Sequence, residues 1–430
     1  MKALVIVAEG MDPYVLEQEV GKGNLPWFAE QLKRNNYRHL NCGPVPYEPS
    51  NLATAFSGVN PGKHGCFSYW STHAAGEMPR VLDANDVKAK RVWEWPELKG
   101  YKFNVVNVQL THPPTSINGK MISYLMQNSL NASYPRNLIS ELLKNDVKYA
   151  HDVSLFYKGQ PFSEFACEAW RIAEYQLQSA MAMAEDTDVL IVNLTLVDRL
   201  SHFLWYELKQ EDLGRRPHVL AAYDFIDSAC RQLASLDPEM TLVFSEMGFG
   251  ELREFVSINE HLQEAGLLVT NAQGEIDLTK SVAMEAVQGS HGVMLCRDLF
   301  NTGKASQAET EEVMQCLREI RFDNSKPILK EVAHRREVYH GQYTHLAPSI
   351  IITPHDERYP PLGDPRWANH VRRGDQSAWH REKGFVVLDG PSGIDDASAE
   401  VQLEQIAPTI ARALGCEASQ QCESNSLIAG

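Results

Sequence analysis

The sequence is short of everything that would tie it to nucleic acid, to a membrane or to an oxidising compartment. It has no lysine or arginine run long enough to make a basic patch, and 40 basic against 56 acidic residues leave a formal charge of -16. That balance excludes polyanions as default partners: no nucleic acid and no membrane surface is expected, and a small molecule is the expected substrate. Eight cysteines (Cys42, Cys66, Cys167, Cys230, Cys296, Cys316, Cys416 and Cys422) occur without a CxxC pair and without a dense framework. Reduced thiols in a cytoplasmic protein are the expectation. No stretch approaches the roughly 20 apolar residues of a membrane span, and the run Met1 to Ala8 reads as a strand, too short for a signal-peptide core with its cleavage site. Internal repeats and low-complexity tracts are missing as well.

What is present is globular composition, with 43% hydrophobic and 22% charged residues over 430 positions, enough for a large core. Short β-branched runs (3–7, 103–108, 189–196, 241–244, 349–353, 385–388) alternate with helical patterns, strongest over 165–183, 218–233 and 403–414. Apolar runs spaced by helices predict buried parallel strands, and so an α/β fold with a doubly wound, mostly parallel sheet. Two stretches break the rhythm. The expected organisation is a core over 1–125, 187–253 and 324–415, a cap insertion over 126–186, a second insertion over 254–323, and a polar, disordered tail over 416–430.

Ligands of an open parallel sheet bind beyond the carboxyl ends of its strands. Those positions are acidic here. Glu9 follows the first strand, Asp198 and His202 follow the strand ending at Leu196, Glu246 follows Val243-Phe244-Ser245, and Glu48 sits in a Pro-rich turn before an expected helix over 50–57. Four carboxylates aimed at one mouth repel one another unless cations neutralise them, which points to a metal centre.

The segment Thr54 to Gly65, with Asn107-Val108 and Thr111-His112-Pro113-Pro114, resembles the type I phosphodiesterase/nucleotide pyrophosphatase-like branch of the alkaline phosphatase superfamily, and the likeness runs from Met1 to about Gly415. The resemblance implies that superfamily's α/β fold and two metal ions. For the first ion it implies Asp198 and His202, in a D-x-x-x-H pattern, with His380 from Trp379-His380-Arg381, where Ala378 replaces the usual Gly; His291 is the runner-up. For the second ion every position departs: Glu9 and Glu246 replace Asp, Met247 replaces His, and Glu48 stands where the Ser or Thr nucleophile is expected. Ser50, two residues on, is the nearest replacement nucleophile, with Thr54 a helical turn further.

Glu9, Glu48, Asp198, His202, Glu246 and His380 together make four carboxylates and two imidazoles, the ligand set of carboxylate-bridged di-iron and di-manganese proteins. The expectation from that count is a metalloenzyme with two divalent ions, Fe or Mn favoured, that activates oxygen on a small organic substrate, with Glu48 at its catalytic centre. The alternative is a metal-dependent phosphodiester or phosphomonoester hydrolase, with Zn, and the third reading is a non-catalytic metal-binding protein. Met247 is expected in the core, and His64, His112 and His355 are expected to be structural or surface groups. Lys63, Arg199 and Arg381 are candidates to bind an anionic substrate group.

Overall fold

The computed structural model describes residues 1–72, 78–125, 129–150, 152, 159–211, 213–299, 306–322, 325–361, 363, 375–391, 393–394 and 400–428. Along the chain the strands are β1 (Ala3–Ala8), β2 (Tyr37–Asn41), β3 (Phe103–Val106), β4 (Gly119–Ile122), β5 (Ser133–Tyr134), β6 (Val189–Leu194), β7 (Met240–Ser245), β8 (Gly248–Glu251), β9 (Ala283–Glu285), β10 (Gly292–Leu295), β11 (Leu329–His334), β12 (Ile350–Pro354), β13 (Ala378–Arg381), β14 (Lys383–Asp389) and β15 (Val401–Gln402). The chain divides into two compact units, one of 1–59, 83–251 and 375–430, the other of 60–82 and 252–374.

The first unit is built on a nine-stranded sheet in the order β15-β2-β14-β7-β1-β6-β3-β4-β5. Strands β7, β1, β6, β3 and β4 run parallel. The residues of β1 are fully buried and sort by face: Leu4, Ile6 and Ala8 join one apolar cluster with Phe165, Ile172 and Ile226, while Ala3, Val5 and Val7 join another with Phe56, Ile406 and Ile410. Helices therefore cover both faces, which is why the strand is an unbroken apolar run and not an alternating one. Each fully buried Val, Leu or Ile contributes about 1.5–3 kcal/mol. This is the α/β, mostly parallel architecture the sequence predicts.

The second unit holds a four-stranded sheet, β11-β12-β10-β9, paired antiparallel throughout. Its core gathers Ile258, Leu262, Val293, Leu295, Val313, Leu317, Ile350 and Ile352. The helix Gln307–Glu319 opens with a capping box between Ser306 and Glu309.

Several expectations need correction. The run at 349–353 forms β12, in the antiparallel sheet of the second unit, and β14 lies in the main sheet but antiparallel to β7 and β2. A buried strand reads alike in either direction, so periodicity could not separate them. The helix Phe162–Ala182, placed by the sequence in the first insertion, buries Phe165, Ala169, Ile172 and Ala173 in the main core. The second unit extends to residue 374, well past the expected boundary at 323. Residues 126–128, 151, 153–158, 300–305 and 323 of the two expected insertions lie outside the described residues. Nor is 416–428 loose: Leu427 is fully buried with its N–H on Thr409 Oγ1 at 2.9 Å, and Gln421 Nε2 donates to Ser57 O at 2.8 Å. One apolar side chain and a few backbone partners hold a segment whose composition is polar.

The turn leaving β1 has little room. Gly10 adopts φ +72°, and a Cβ there would lie 2.9 Å from Phe249 Cε2 and 3.0 Å from Asp198 Cα. Gly10→Ala is expected to cost about 1–3 kcal/mol, from the left-handed backbone and the crowding together. Urea unfolding measures it, and a loss under about 0.5 kcal/mol, the scale of an ordinary surface change, would show that the turn tolerates a side chain.

Candidate functional site

Sheet order explains why the acidic residues meet. Because β1 lies between β7 and β6 and all three run the same way, their carboxyl ends are neighbours. Glu9 follows β1 directly, Glu246 follows β7 directly, and Asp198 lies in the first turn of the helix Leu196–Leu204 just after β6. The Asp198 N–H donates to Glu9 O at 3.2 Å, tying the two strand ends together. Glu48 is the first residue of the helix Glu48–Ser57, and Asn51 on that helix donates from Nδ2 to Glu246 O at 2.8 Å. His380 enters on β13, paired antiparallel with β8 so that it sits opposite Phe249.

The six side chains are buried or nearly so, and five of them fall into two overlapping groups. Asp198, His202 and His380 offer donor atoms within 4.8 Å of one another, and so do Glu9, Glu48 and Asp198. Glu246 is fully buried at the same strand ends but belongs to neither group. His291 lies in the second unit and in no such group among the described residues.

The first group fits a divalent cation. Asp198 and His202 share a helix face at the i, i+4 spacing, with His202 Nε2 3.6 Å from Asp198 Oδ2. His380 Nδ1 lies 3.0 Å from Pro46 O, which can only accept, so Nδ1 carries the proton and Nε2 presents a lone pair. That lone pair faces Asp198 Oδ1 at 3.3 Å, and neither atom has a hydrogen-bond partner. With Nε2 unprotonated the two atoms would meet as acceptors, a repulsion that a cation between them relieves; about 3.3 Å is also the spacing of two donors held tetrahedrally at about 2.0 Å. Burial pushes His202 down to about 3, partly opposed by Asp198, so its ring is neutral and able to ligate. Burial also acts to raise Asp198, but Arg199 above all, with His202 and His380, more than offsets it and holds the carboxyl well below its usual range. Phe249 and Trp379 pack on the His202 ring at centroid distances of 4.9 and 5.0 Å, giving the group an apolar wall.

The second group already contains a cation. Arg199 turns inward: its Nη2 is 3.2 Å from Glu9 Oε1, its Nη1 donates to Asp198 Oδ2 and stands 4.0 Å from Glu48 Oε1. Nε and Nη2 reach Asp152 Oδ2 at 3.2 and 2.8 Å, and Nη2 donates to Tyr124 Oη at 3.0 Å. Burial would lower Arg199, but Asp152, Tyr124, Asp198 and Glu9 outweigh it and keep the guanidinium charged. At an effective dielectric near 20, two unit charges 4 Å apart interact by about 4 kcal/mol, so a divalent ion beside this guanidinium meets roughly 8 kcal/mol of repulsion. Glu9 Oε2 takes amide protons from Gln109 and Asn193, each at 2.5 Å. Burial lifts Glu9 to about 7 against the pull of Arg199, and lifts Glu48 and Glu246 well above the carboxylate range, helped by their acidic neighbours.

Asp152, Tyr124, Gln109 and Asn193 escaped the sequence reading, and no spacing or motif marks them. Ser50 and Thr54 are buried on the helix that Glu48 begins, and Met247 is a core residue. Arg381 donates to the His380 and Glu251 carbonyls. His64 is fully buried and its Nδ1 accepts from the Cys66 N–H at 3.2 Å, whereas His355 is exposed.

Residues 3–381 match the type I phosphodiesterase / nucleotide pyrophosphatase family. Among solved structures the fold is similar to phosphonoacetate hydrolase from Sinorhizobium meliloti 1021, crystallised with phosphonoformate, at a TM-score of 0.64 and 12% identity over 94% of each chain. It is also similar to human ectonucleotide pyrophosphatase / phosphodiesterase 5, at 0.57 and 12% over 100% of each chain. The alkaline phosphatase PafA gives 0.57 and 13%, covering 100% of this chain and 99% of that one. These findings overturn the oxygen-activating di-iron or di-manganese expectation. That expectation counted acidic and imidazole side chains as metal ligands without the guanidinium that lies among them. The chain belongs to the type I phosphodiesterase / nucleotide pyrophosphatase family.

Proposed function

We propose that this protein is a metal-dependent hydrolase of a small phosphoester or phosphonate, working without a Ser or Thr covalent intermediate. The observation that carries the proposal is the buried Asp198–His202–His380 group at the carboxyl ends of the parallel strands, beside the first turn of the helix Glu48–Ser57. One carboxylate and two imidazoles with an open position make a donor set of catalytic zinc, and Zn²⁺ is the ion proposed here. When bound, such an ion supplies positive charge that polarises a phosphoryl oxygen and makes a bound water acidic enough to attack.

The chain's own residues do the rest. Helix Glu48–Ser57 begins at this group of side chains, and the partial positive charge of its N-terminus favours an anionic substrate group there. Glu48, which the family resemblance sets where a Ser or Thr nucleophile is usual, has a carboxyl that burial, Asp198 and Glu9 push well above the carboxylate range, so it holds a proton for a departing oxygen and is a poor nucleophile. Phe249 and Trp379 keep bulk water off the imidazoles. Neighbouring structures named as a phosphonoacetate hydrolase, an ectonucleotide pyrophosphatase / phosphodiesterase and an alkaline phosphatase support this substrate range. A cytoplasmic setting is part of the proposal, on the cysteine spacing, as is a small-molecule partner on net charge.

Zn²⁺-loaded protein assayed on p-nitrophenyl phosphate, bis(p-nitrophenyl) phosphate and phosphonoacetate is expected to turn over at least one of them. Asp198→Asn should abolish that activity, Glu48→Gln should lower kcat by about 10²-fold or more as expected for a lost general acid, and Ser50→Ala should change it little. No turnover of any of the three would sink the proposal; a large loss in Ser50→Ala would restore a covalent route.

Stability of the metal-free protein should depend on pH with an unusual sign. Glu9 has a folded value of about 7, raised from 4.5, so its contribution is complete below about 4.5 and is lost as pH rises through about 7. Glu48 and Glu246 act in the same direction. After chelation, the melting temperature should therefore be higher at pH 5.5 than at pH 8, and a flat or opposite trend by calorimetry would show that these carboxylates are not buried as described.

A further inference from the structure

We propose that Arg199 is a built-in substitute for a second metal ion, so that this centre takes one divalent ion per chain where the family resemblance implies two. The inference deepens the proposed hydrolase site and rests on that reading only for the first ion.

The position is the first argument. Glu9, Glu48 and Asp198 are the carboxylates whose oxygens converge as a second cation site, and the guanidinium contacts or closely approaches each of them, at 3.2 Å, 4.0 Å and through a hydrogen bond from Nη1. Asp198 is then the wall shared by two cation positions, with Oδ1 facing His380 Nε2 and Oδ2 taking the Arg199 proton. The second argument is that the side chain is held. Asp152 receives both Nε and Nη2, Tyr124 accepts from Nη2, and Arg199 is 8% exposed. Swinging the guanidinium aside for a metal would break these bonds and strand the buried Asp152 carboxylate without its counter-ion.

The third argument comes from the ligands. Met247, at the position where the family resemblance implies an imidazole, packs in the apolar core, so the ring that would complete a second site is not supplied there. Lengthening Asp to Glu at position 9 lets the carboxylate meet both the guanidinium and two side-chain amides, from Gln109 and Asn193. The site is thus remodelled from several sides around an organic cation, which supplies charge at a fixed place without needing to be acquired from solution.

Metal counting tests this. The full chain, wild type and Arg199→Ala, is saturated with Zn²⁺, freed of excess by gel filtration and measured by mass spectrometry together with protein concentration. The expected result is one ion per chain in the wild type and a doubling to two in Arg199→Ala, with Arg199→Lys, which keeps the charge, staying at one. Two ions in the wild type would overturn the inference, as would an unchanged count in Arg199→Ala. None in the wild type but one in Arg199→Ala would uphold it while removing the metal from the proposed hydrolase; none in either would remove both. Should Arg199→Ala not fold, Arg199→Gln retains a hydrogen-bonding arm for Asp152 without the charge, and its count decides in the same way.

Discussion

Five carboxylates, those of Glu9, Glu48, Asp152, Asp198 and Glu246, share a nearly dry volume with the guanidinium of Arg199. Ionised carboxylates without partners cannot persist in such surroundings; they take up protons or gather cations. This constraint orders the rest of the unit. The parallel β7-β1-β6 core presses three acidic strand ends together, both of its faces are sealed by helices, and the energy of burying that apolar surface keeps the charges from relaxing apart.

The two ends of the cluster resolve the same excess of negative charge in different ways. Toward His380 and His202 two imidazoles face the Asp198 carboxylate, a donor set that suits an inorganic cation. Toward Asp152 and Tyr124 the positive charge is already covalently part of the chain. Fold and family membership are common to enzymes of several chemistries, so what sets this chain apart lies in its own site residues.

Much of this was readable along the sequence. Residues directly after apolar strands had to lie at one edge if those strands ran parallel, so Glu9, Asp198 and Glu246 could be grouped without coordinates. His202 followed from its spacing to Asp198 on a helix. His380 needed the family likeness, because nothing in the local pattern of Trp379-His380-Arg381 marks a ligand. What stayed hidden was side-chain direction. Arg199, next to Asp198, would be solvated on most helices, and only the packed structure aims it inward. Asp152 and Tyr124 carry no periodic signal since they act through tertiary proximity, and β12 was misplaced because burial looks the same in any sheet. Composition misjudged 416–428 for a related reason: one leucine buried in the core outweighs eight polar neighbours.

The site residues are scattered from Glu9 to His380, almost the whole length of the chain, and the imidazole that closes the metal-binding group comes last. A ribosome therefore exposes the acidic residues and Arg199 long before His380 leaves the exit tunnel. Arg199 and the carboxylates of Glu9, Glu48, Asp152 and Asp198 are all made before His380, the last of the site residues in chain order. A chain stopped short of His380 therefore lacks one of the two imidazoles of that group, however well its parallel strands have formed.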